Sequence, residues 1–309
     1  MNRVAKGMKK IKLIVAILFI IHVCYAQSEK VNYFGLKPPG ELPEKFAPTI
    51  ISKDKQYVLM SAFSPDGKQF CFTTTNEHWS HFEIWYTRYD AGKWSVPEVL
   101  PFMKSAGGFG PVFSPDSKTI YFGSSNWVTH PSAIWYSTRR KNAWSSAVKL
   151  RPPVNTGADQ WQFTMAKDST LIFTSKRPGG KGGYDLYMSK PEKGRYLKAL
   201  NITELNSSAD EYSAFIAPDK SYMIFSSQRA GSYGWDDLYV SFLRKNGTWT
   251  KPINLGPQIN TKHAEFSPQV SPDGKYLIYS KWDIKNKWSV LYWVRIDKTI
   301  ERLKKQSGI

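Results

Sequence analysis

Five near-copies of one ten-residue stretch constrain this chain more than any other feature: "FSPDGKQFCF" from Phe63, "FSPDSKTIYF" from Phe113, "MAKDSTLIFT" from Met165, "IAPDKSYMIF" from Ile216 and "VSPDGKYLIY" from Val270. Their aspartates, Asp66, Asp116, Asp168, Asp219 and Asp273, recur every 50 to 54 residues, and a period near fifty marks an array of similar supersecondary units. Each turn leads into a short apolar run, then a polar loop, then a second run such as "EIWYTR", "DLYMSK" or "VLYWVR". Three units continue to a third run opened by tryptophan, "KWSVPEVL", "AWSSAVKL" and "TWTKPINL". These runs are β-branched and aromatic and are punctuated by Pro, Gly, Asn and Asp, with no sustained helical period after the N-terminal stretch. Counting the segment ahead of each turn, every unit offers four strands, and four antiparallel strands repeated radially make a β-propeller blade. The predicted fold class is all-β: a propeller of five four-stranded blades, with six possible only through a unit the sequence does not display.

The two ends of the chain fit a closed ring. In "EKFAPTIIS", Pro48 stands 18 residues ahead of Asp66, much as Pro97 stands 19 ahead of Asp116 and Pro252 stands 21 ahead of Asp273. The last unit lacks a tryptophan-opened run. Residues 44 to 52 are therefore expected to complete the last blade, which leaves no sheet edge open.

The first 26 residues have the pattern of a secretory signal. Arg3, Lys6, Lys9, Lys10 and Lys12 precede "LIVAILFIIHV", an apolar run too short to span a bilayer comfortably, and "CYA" ends in the small residue Ala26. The expectation is a signal over residues 1–26 and a single propeller domain over 27–309. That places the chain in the bacterial periplasm or outside the cell, with no transmembrane anchor after cleavage. Val23, ahead of Cys24, argues against lipid attachment. Loss of the five basic residues takes the formal charge from +18 to +13, a balance that favours an anionic partner. Secretion sets nucleic acid aside and leaves an envelope protein or an acidic glycan. The competing explanation is that scattered lysines only keep the surface soluble, since no run of five like charges occurs. Cys71, the one remaining cysteine, lies between two phenylalanines and is expected to be a core thiol.

The turns themselves are too alike to discriminate a ligand, and their aspartates are expected to be structural. The opposite face is where the units differ. "VNTGADQW", "LNSSADEY" and "INTKHAEF" align Asn155, Asn206 and Asn260, with Gln160, Glu211 and Glu265 five residues later; Val58 and Gly108 hold that later column in the first two units. With Asp159 and His263 this makes a lopsided polar ring, to which the second loops add Arg177, Arg229 and Trp235. These are the candidate ligand-binding residues. Secondary candidates are His78, Trp79, His81, Trp127, His130 and Trp282, because tryptophan faces beside polar loop groups suit a sugar ring. The competing assignment has each Asn capping its loop, each acid paired with a base, and the tryptophans wedged between blades.

Catalytic motifs are sparse. His78 and His81 with Glu77 and Glu83 have ligand types that suit zinc or manganese, yet His-x-x-His on a loop is a weak signal, and neither metal nor cofactor is predicted. No Gly-x-Ser-x-Gly elbow occurs, and "RPGGKGGYD" lacks the strand-to-helix setting of a phosphate loop. Glu211 and Glu265 are the pair that could serve glycoside hydrolysis.

The repeated "FSPDGK...F...IWY" pattern resembles the WD-repeat-like propeller repeat of the periplasmic TolB type. "YFGLKPPGELPEKFAP" and "LYWVRIDKTIERLKK" at the two ends are similar to those of a group of secreted bacterial propellers of about this length. The resemblance covers nearly all of the chain after the signal and implies the propeller fold. It implies little about activity, because the repeat serves binding proteins, peptidase side domains and some lyases. The expected function is a secreted or periplasmic binding propeller, either a protein-interaction scaffold of the TolB type or a glycan-recognition module, acting as a monomer. The alternative is a glycoside hydrolase or polysaccharide lyase acting on an acidic glycan.

Overall fold

The computed structural model describes residues 31–52, 56–103, 107–124, 131–141, 143–283, 285 and 287–309. The signal expected over residues 1–26 lies outside them. Among the described residues most strands fall into recurring antiparallel groups, the first and the last joined in one sheet, with the short pair Pro191–Glu192 and Arg195–Tyr196 standing apart. Tyr57–Phe63, Gln69–Thr75, Phe82–Asp90 and Glu98–Val99 pair antiparallel in that order. The order repeats in Phe109–Phe113, Thr119–Ser124, Ala133–Arg140 and Val148–Lys149. It repeats again in Gln160–Met165, Leu171–Ser175, Asp185–Ser189 and Leu200–Asn201, and in Glu211–Ile216, Tyr222–Ser227, Asp237–Phe242 and Ile253–Asn254. The tryptophans Trp94 and Trp144 do not open the outermost strands as the sequence suggested. They pair back onto the third strands, opposite Tyr89 and Arg139, and the two-residue outer strand follows them.

The fifth group holds Ala264–Val270, Tyr276–Asp283 and Trp288–Arg295. Its outermost place is taken from the other end of the chain by Glu44–Lys45, with Glu44 opposite Trp293 and Lys45 opposite Tyr292. Of the stretch expected to pair there, 44–52, these two residues form the strand ladder, and Phe46 and Ser52 add single hydrogen bonds to Leu291. Ala47 takes a positive φ of 45° and turns the chain, so that its carbonyl accepts from the N–H groups of Ile50, Ile51 and Ser52. Further bonds fasten the same segment: the Phe46 N–H donates to the Leu291 carbonyl at 2.8 Å, and the Tyr33 hydroxyl donates to Asp273 Oδ1 at 2.8 Å. Phe46 is fully buried between Trp293 and Phe70, with ring centroids 5.1 and 5.5 Å away. The core between the last group and the first is thus built around an N-terminal side chain.

Neighbouring groups are stitched main chain to main chain. The Gly108 N–H donates to the Phe82 carbonyl at 3.1 Å, Gln160 to Ser132 at 3.2 Å, Glu211 to Tyr184 at 2.9 Å and Glu265 to Asp236 at 2.8 Å. Between the last group and the first, a parallel bridge of Tyr57 to Ser289 stands in the corresponding place. The first strands of the groups neighbour one another in the order first, second, third, fourth, fifth and back to first. Each of these strands also carries a β-bulge, seen as a register shift between Leu59 and Ser61, Phe109 and Val112, Gln160 and Phe163, Tyr212 and Phe215, and Phe266 and Gln269. The bulges re-aim side chains locally without ending the strand.

The repeated turns behave as structural devices. Asp116 Oδ1 accepts from the Ser114 hydroxyl at 2.6 Å and the Lys118 N–H at 3.1 Å, and the Ser114 hydroxyl oxygen accepts from the Thr119 N–H at 2.9 Å. The Ser114 bond holds the Asp116 carboxyl below its usual pKa. The residue after each aspartate, from Gly67 through Ser117, Ser169 and Lys220 to Gly274, has φ between 59° and 74°. Cys71 is fully buried, as a core thiol should be. The chain ends in the helix Asp297–Gln306, which buries Ile300 and Leu303 against the fourth and fifth groups. Among the described residues no helix is long and apolar enough to cross a membrane.

Phe46→Ala should lower the unfolding free energy by about 3–5 kcal/mol, the cost of truncating a fully buried phenylalanine, read as a drop in the urea midpoint at unchanged slope. A loss below about 1 kcal/mol would mean that the N-terminal segment is not part of the core.

Candidate functional site

The polar residues expected at the mouth opposite the turns are largely occupied in holding loops. Asn155, Asn206 and Asn260 each act as a substitute strand residue. Asn206 Oδ1 accepts from the Leu186 N–H at 2.8 Å while its Nδ2 donates to the Leu186 carbonyl at 3.0 Å. Asn155 does the same to Ile134, and Asn260 to Leu238. Glu211 is fully buried; its carboxylate accepts from the Ser207 N–H and hydroxyl, the Ser227 hydroxyl and Arg229 Nη2, at 2.6 to 3.0 Å. Glu265, also fully buried, accepts from the Thr261 N–H at 2.9 Å and hydroxyl at 2.6 Å, with Lys281 Nζ 3.7 Å away. Gln160 donates to Thr156 Oγ1 and the Ala158 carbonyl. These three pin their own approach loops, so the side chains are polar for the backbone's sake.

The cationic candidates are clamps as well. Arg177 donates to the Val154 carbonyl at 2.8 Å and lies over the Phe173 and Tyr187 rings; Arg229 donates to the Leu205 carbonyl at 2.6 Å and lies over Phe225 and Tyr239. Asp159 accepts from the Ser132 N–H at 2.7 Å and from the Tyr184 hydroxyl at 3.2 Å. His263 has its Nδ1 3.9 Å from Asp283 Oδ1, and its carbonyl accepts from the Trp235 N–H at 3.1 Å. His78 sits beside Glu77 at 3.4 Å and His81 beside Glu83 at 3.5 Å, as two separate exposed pairs. Among the described residues no group of three His, Cys, Asp or Glu could hold a metal ion. Trp127 and His130 lie outside the described residues. The glycine-rich "RPGGKGGYD" loop is filled by its own carboxylate, since buried Asp185 accepts from the Lys181 and Gly182 N–H groups.

What lies open on this face is an aromatic cavity of about 440 Å3, within the range of about 300–1,000 Å3 usual for small-molecule sites. Its walls are Trp79, Trp161, Tyr184, Tyr212, Trp235 and Trp282. Trp79 and Trp282 meet at 5.4 Å between ring centroids, and Tyr184 and Tyr212 at 5.1 Å. Trp235 leaves 72% of its surface exposed on the rim. Its loop passes so close to the fifth group that a Cβ on Gly234 would meet the His263 carbonyl oxygen at 1.9 Å, so only glycine fits there. Of the expected residues, Trp79, Trp235 and Trp282 line the cavity; Asp159, Gln160, Arg177, Glu211, Arg229, His263 and Glu265 are not on its lining.

The polar groups of the cavity are Asp236, Gln228, Gln162, Ser213 and Ser226, none of them singled out by sequence. Asp236 follows Trp235, receives the Glu265 stitch through its main-chain carbonyl, and carries one carboxylate oxygen, Oδ1, that is buried with no partner among the described residues. Burial pushes its pKa up to about 6, opposed by a hydrogen bond from Gln228 and reinforced by Asp210 and Asp237. The phenols of Tyr184 and Tyr212 donate to Asp159 at 3.2 Å and Asp210 at 2.6 Å, and burial with these carboxylates holds both well above the usual tyrosine pKa. Below the cavity the bulges narrow the passage to a waist of about 30 Å3 between Met60, Gly110, Gln162, Ser213 and Ser267. Beyond it, on the turn face, a second space of about 370 Å3 is lined by the repeated turn prolines Pro65, Pro115, Pro218 and Pro272 with Phe113 and Tyr222.

No family model matches this chain, and no curated protein sequence does. Among solved structures it is similar to the catalytic domain of a Coprinopsis cinerea GH62 α-L-arabinofuranosidase, with a TM-score of 0.51 at 11% identity over 83% of this chain and 97% of that one. TolB from Acinetobacter baumannii gives 0.48 at 16% identity, over 77% of this chain and 54% of that one; a putative TolB from Agrobacterium tumefaciens gives 0.49 at 15%, over 74% and 71%. The chain thus spans about half the length of the Acinetobacter protein. At these identities the likeness extends to the all-β, propeller-like fold alone.

Because the folded pKa of Asp236 lies above its unfolded value of 3.8, the native state binds the extra proton between about pH 4 and 6, and stability falls as pH rises through that window. Asp236→Asn should remove that fall. Relative to wild type it should gain on the order of 1–2 kcal/mol at pH 7.5 over its value at pH 4, measured by urea unfolding at the two pH values. Parallel pH dependence of the two proteins would show that Asp236 titrates normally.

Proposed function

We propose that the chain is a five-bladed propeller, its ring closed by the N-terminal strand, and that it is a secreted or periplasmic glycan-binding protein whose ligand sits in the aromatic cavity opposite the repeated turns. The ring is supported by the cyclic order of the first strands, the main-chain stitches between groups, and the pairing of Glu44–Lys45 with the last long strand. The export assignment rests on the signal-like residues 1–26.

The observation that carries the function is the cavity wall. Seven aromatic residues surround a space of small-molecule size and a few hydrogen-bonding groups stand among them, which is what a pyranose needs: ring faces for its C–H surfaces and polar partners for its hydroxyls. Binding is favoured over glycoside hydrolysis because hydrolysis uses two carboxyl groups flanking one bond. Asp236 is the one carboxyl on the described lining, and Glu211 and Glu265 are committed to their loops. The turn-face space is built from near-identical units and gives a ligand little to distinguish.

A glycan array probed with the chain should give saccharide hits. Trp235→Ala should weaken them by about 1–3 kcal/mol, the cost of removing an aromatic anchor, with an unchanged melting midpoint because the ring is largely exposed. Asp116→Ala, on the turn face, should bind as wild type. Loss of binding in folded Asp116→Ala with normal binding in Trp235→Ala would move the site to the other face.

A further inference from the structure

We propose that the aromatic cavity selects amino sugars, taking the ammonium group of a glucosamine-type unit against Asp236 with the sugar ring packed on the tryptophan walls; this rests on the glycan-binding function above and names the class of glycan. It departs from the acidic glycan that net charge alone suggested.

The chain carries a formal charge of +18, yet the described lining of the cavity includes no Lys, Arg or His and does include a carboxylate. Burial raises the pKa of Asp236 to about 6, so its charged form is held at a cost that a neighbouring cation would lower. Gln228 is the side chain that bonds it, and Oδ1, buried out of contact with solvent, has no partner among the described residues. A desolvated carboxylate left without a compensating cation is costly, and a ligand ammonium beside it supplies the opposite charge. A uronate placed there would bring like charge to the same spot and add to the repulsion already exerted by Asp210 and Asp237.

The walls suit the same cation. Tyr184 and Tyr212 donate their hydroxyl protons to Asp159 and Asp210, which leaves their rings richer in electron density, and tryptophan and tyrosine faces attract ammonium groups. Lys176 already shows the preference, with its Nζ 4.2 Å from the Tyr184 ring centroid. The other lysine close by, Lys281, is held 3.7 Å from buried Glu265 and over the Tyr292 ring.

The test uses the chain with three length-matched probes at about pH 7: glucosamine oligomers, N-acetylglucosamine oligomers and galacturonate oligomers, titrated calorimetrically against wild type and Asp236→Asn. The expected result is that glucosamine oligomers bind best. Asp236→Asn should then lose about tenfold or more of that affinity, as when a charge-assisted hydrogen bond is removed, a clearly larger loss than it shows with the N-acetylated oligomer. Because the substitution removes a destabilising charge, a folded variant is expected, and its melting midpoint confirms it. If acetylated or acidic oligomers bind as well as the amine, or if Asp236→Asn binds the amine unchanged, the ammonium site is wrong and glycan binding stands. If none of the three binds wild type, the ammonium proposal falls, and a glycan array without hits would take glycan binding with it.

Discussion

The main-chain bond that crosses from one sheet to the next is the constraint on which the rest of this fold depends. A four-stranded sheet with a two-residue outer strand has little stability of its own, and its first strand faces neighbours on both sides. Donation by Gly108, Gln160, Glu211 and Glu265 to the carbonyls of Phe82, Ser132, Tyr184 and Asp236 fixes each sheet against the next at one point, using atoms that every residue type possesses. The side chains at both ends are therefore free of that duty. The carbonyl column runs Phe82, Ser132, Tyr184 and Asp236, with Ser289 at the bridge to the first sheet, and no two chemistries could differ more than the first and the fourth. The scaffold repeats while the surface it presents does not.

Rigidity on the binding face comes from polar groups turned inward. An asparagine that bonds both the N–H and the carbonyl of a strand residue 20 residues earlier, as Asn206 does to Leu186, does the work of an extra strand residue where the chain is too short to supply one. Asp185 and Asp237 occupy the N–H groups of the glycine-rich loops beside them, and Arg177 and Arg229 tie the same loops to the carbonyls of Val154 and Leu205. With these bonds made, the loops hold Trp235, Tyr184 and Tyr212 in place on the cavity wall.

Much of the fold was legible because the turns repeat: each Asp-centred reversal fixes where a first strand ends and a second begins, and Asp66 through Asp273 mark those points correctly. The bulges were not legible. Met60, Ser213 and Ser267 adopt positive φ with nothing in their identity to announce it, and only Gly110 hints at the conformation. The site was half legible for a related reason. Polar residues at Gln160, Glu211 and Glu265 drew attention, but successive residues of a strand face opposite ways, so the cavity side belongs to the next position, Trp161, Tyr212 and Phe266. Asp236 was hidden beside Asp237. The pair reads as one acidic dipeptide, and only the structure separates the carboxylate that holds a loop from the one that faces the cavity.

Net charge misleads about a site of this kind for a physical reason. Charges on the surface are screened over a Debye length of about 8 Å at physiological ionic strength, so the lysines that make the chain basic govern long-range encounter and solubility. Inside a cavity walled by aromatic rings the dielectric falls and a single carboxylate outweighs them locally. Asp236, whose Oδ1 has no partner among the described residues and whose pKa is raised further by the carboxylates of Asp210 and Asp237, gives the cavity lining a negative charge within a basic protein. Encounter with a cationic ligand should then speed up with added salt, which screens the repelling surface, whereas the contact with Asp236, once made in the desolvated cavity, should weaken only slightly.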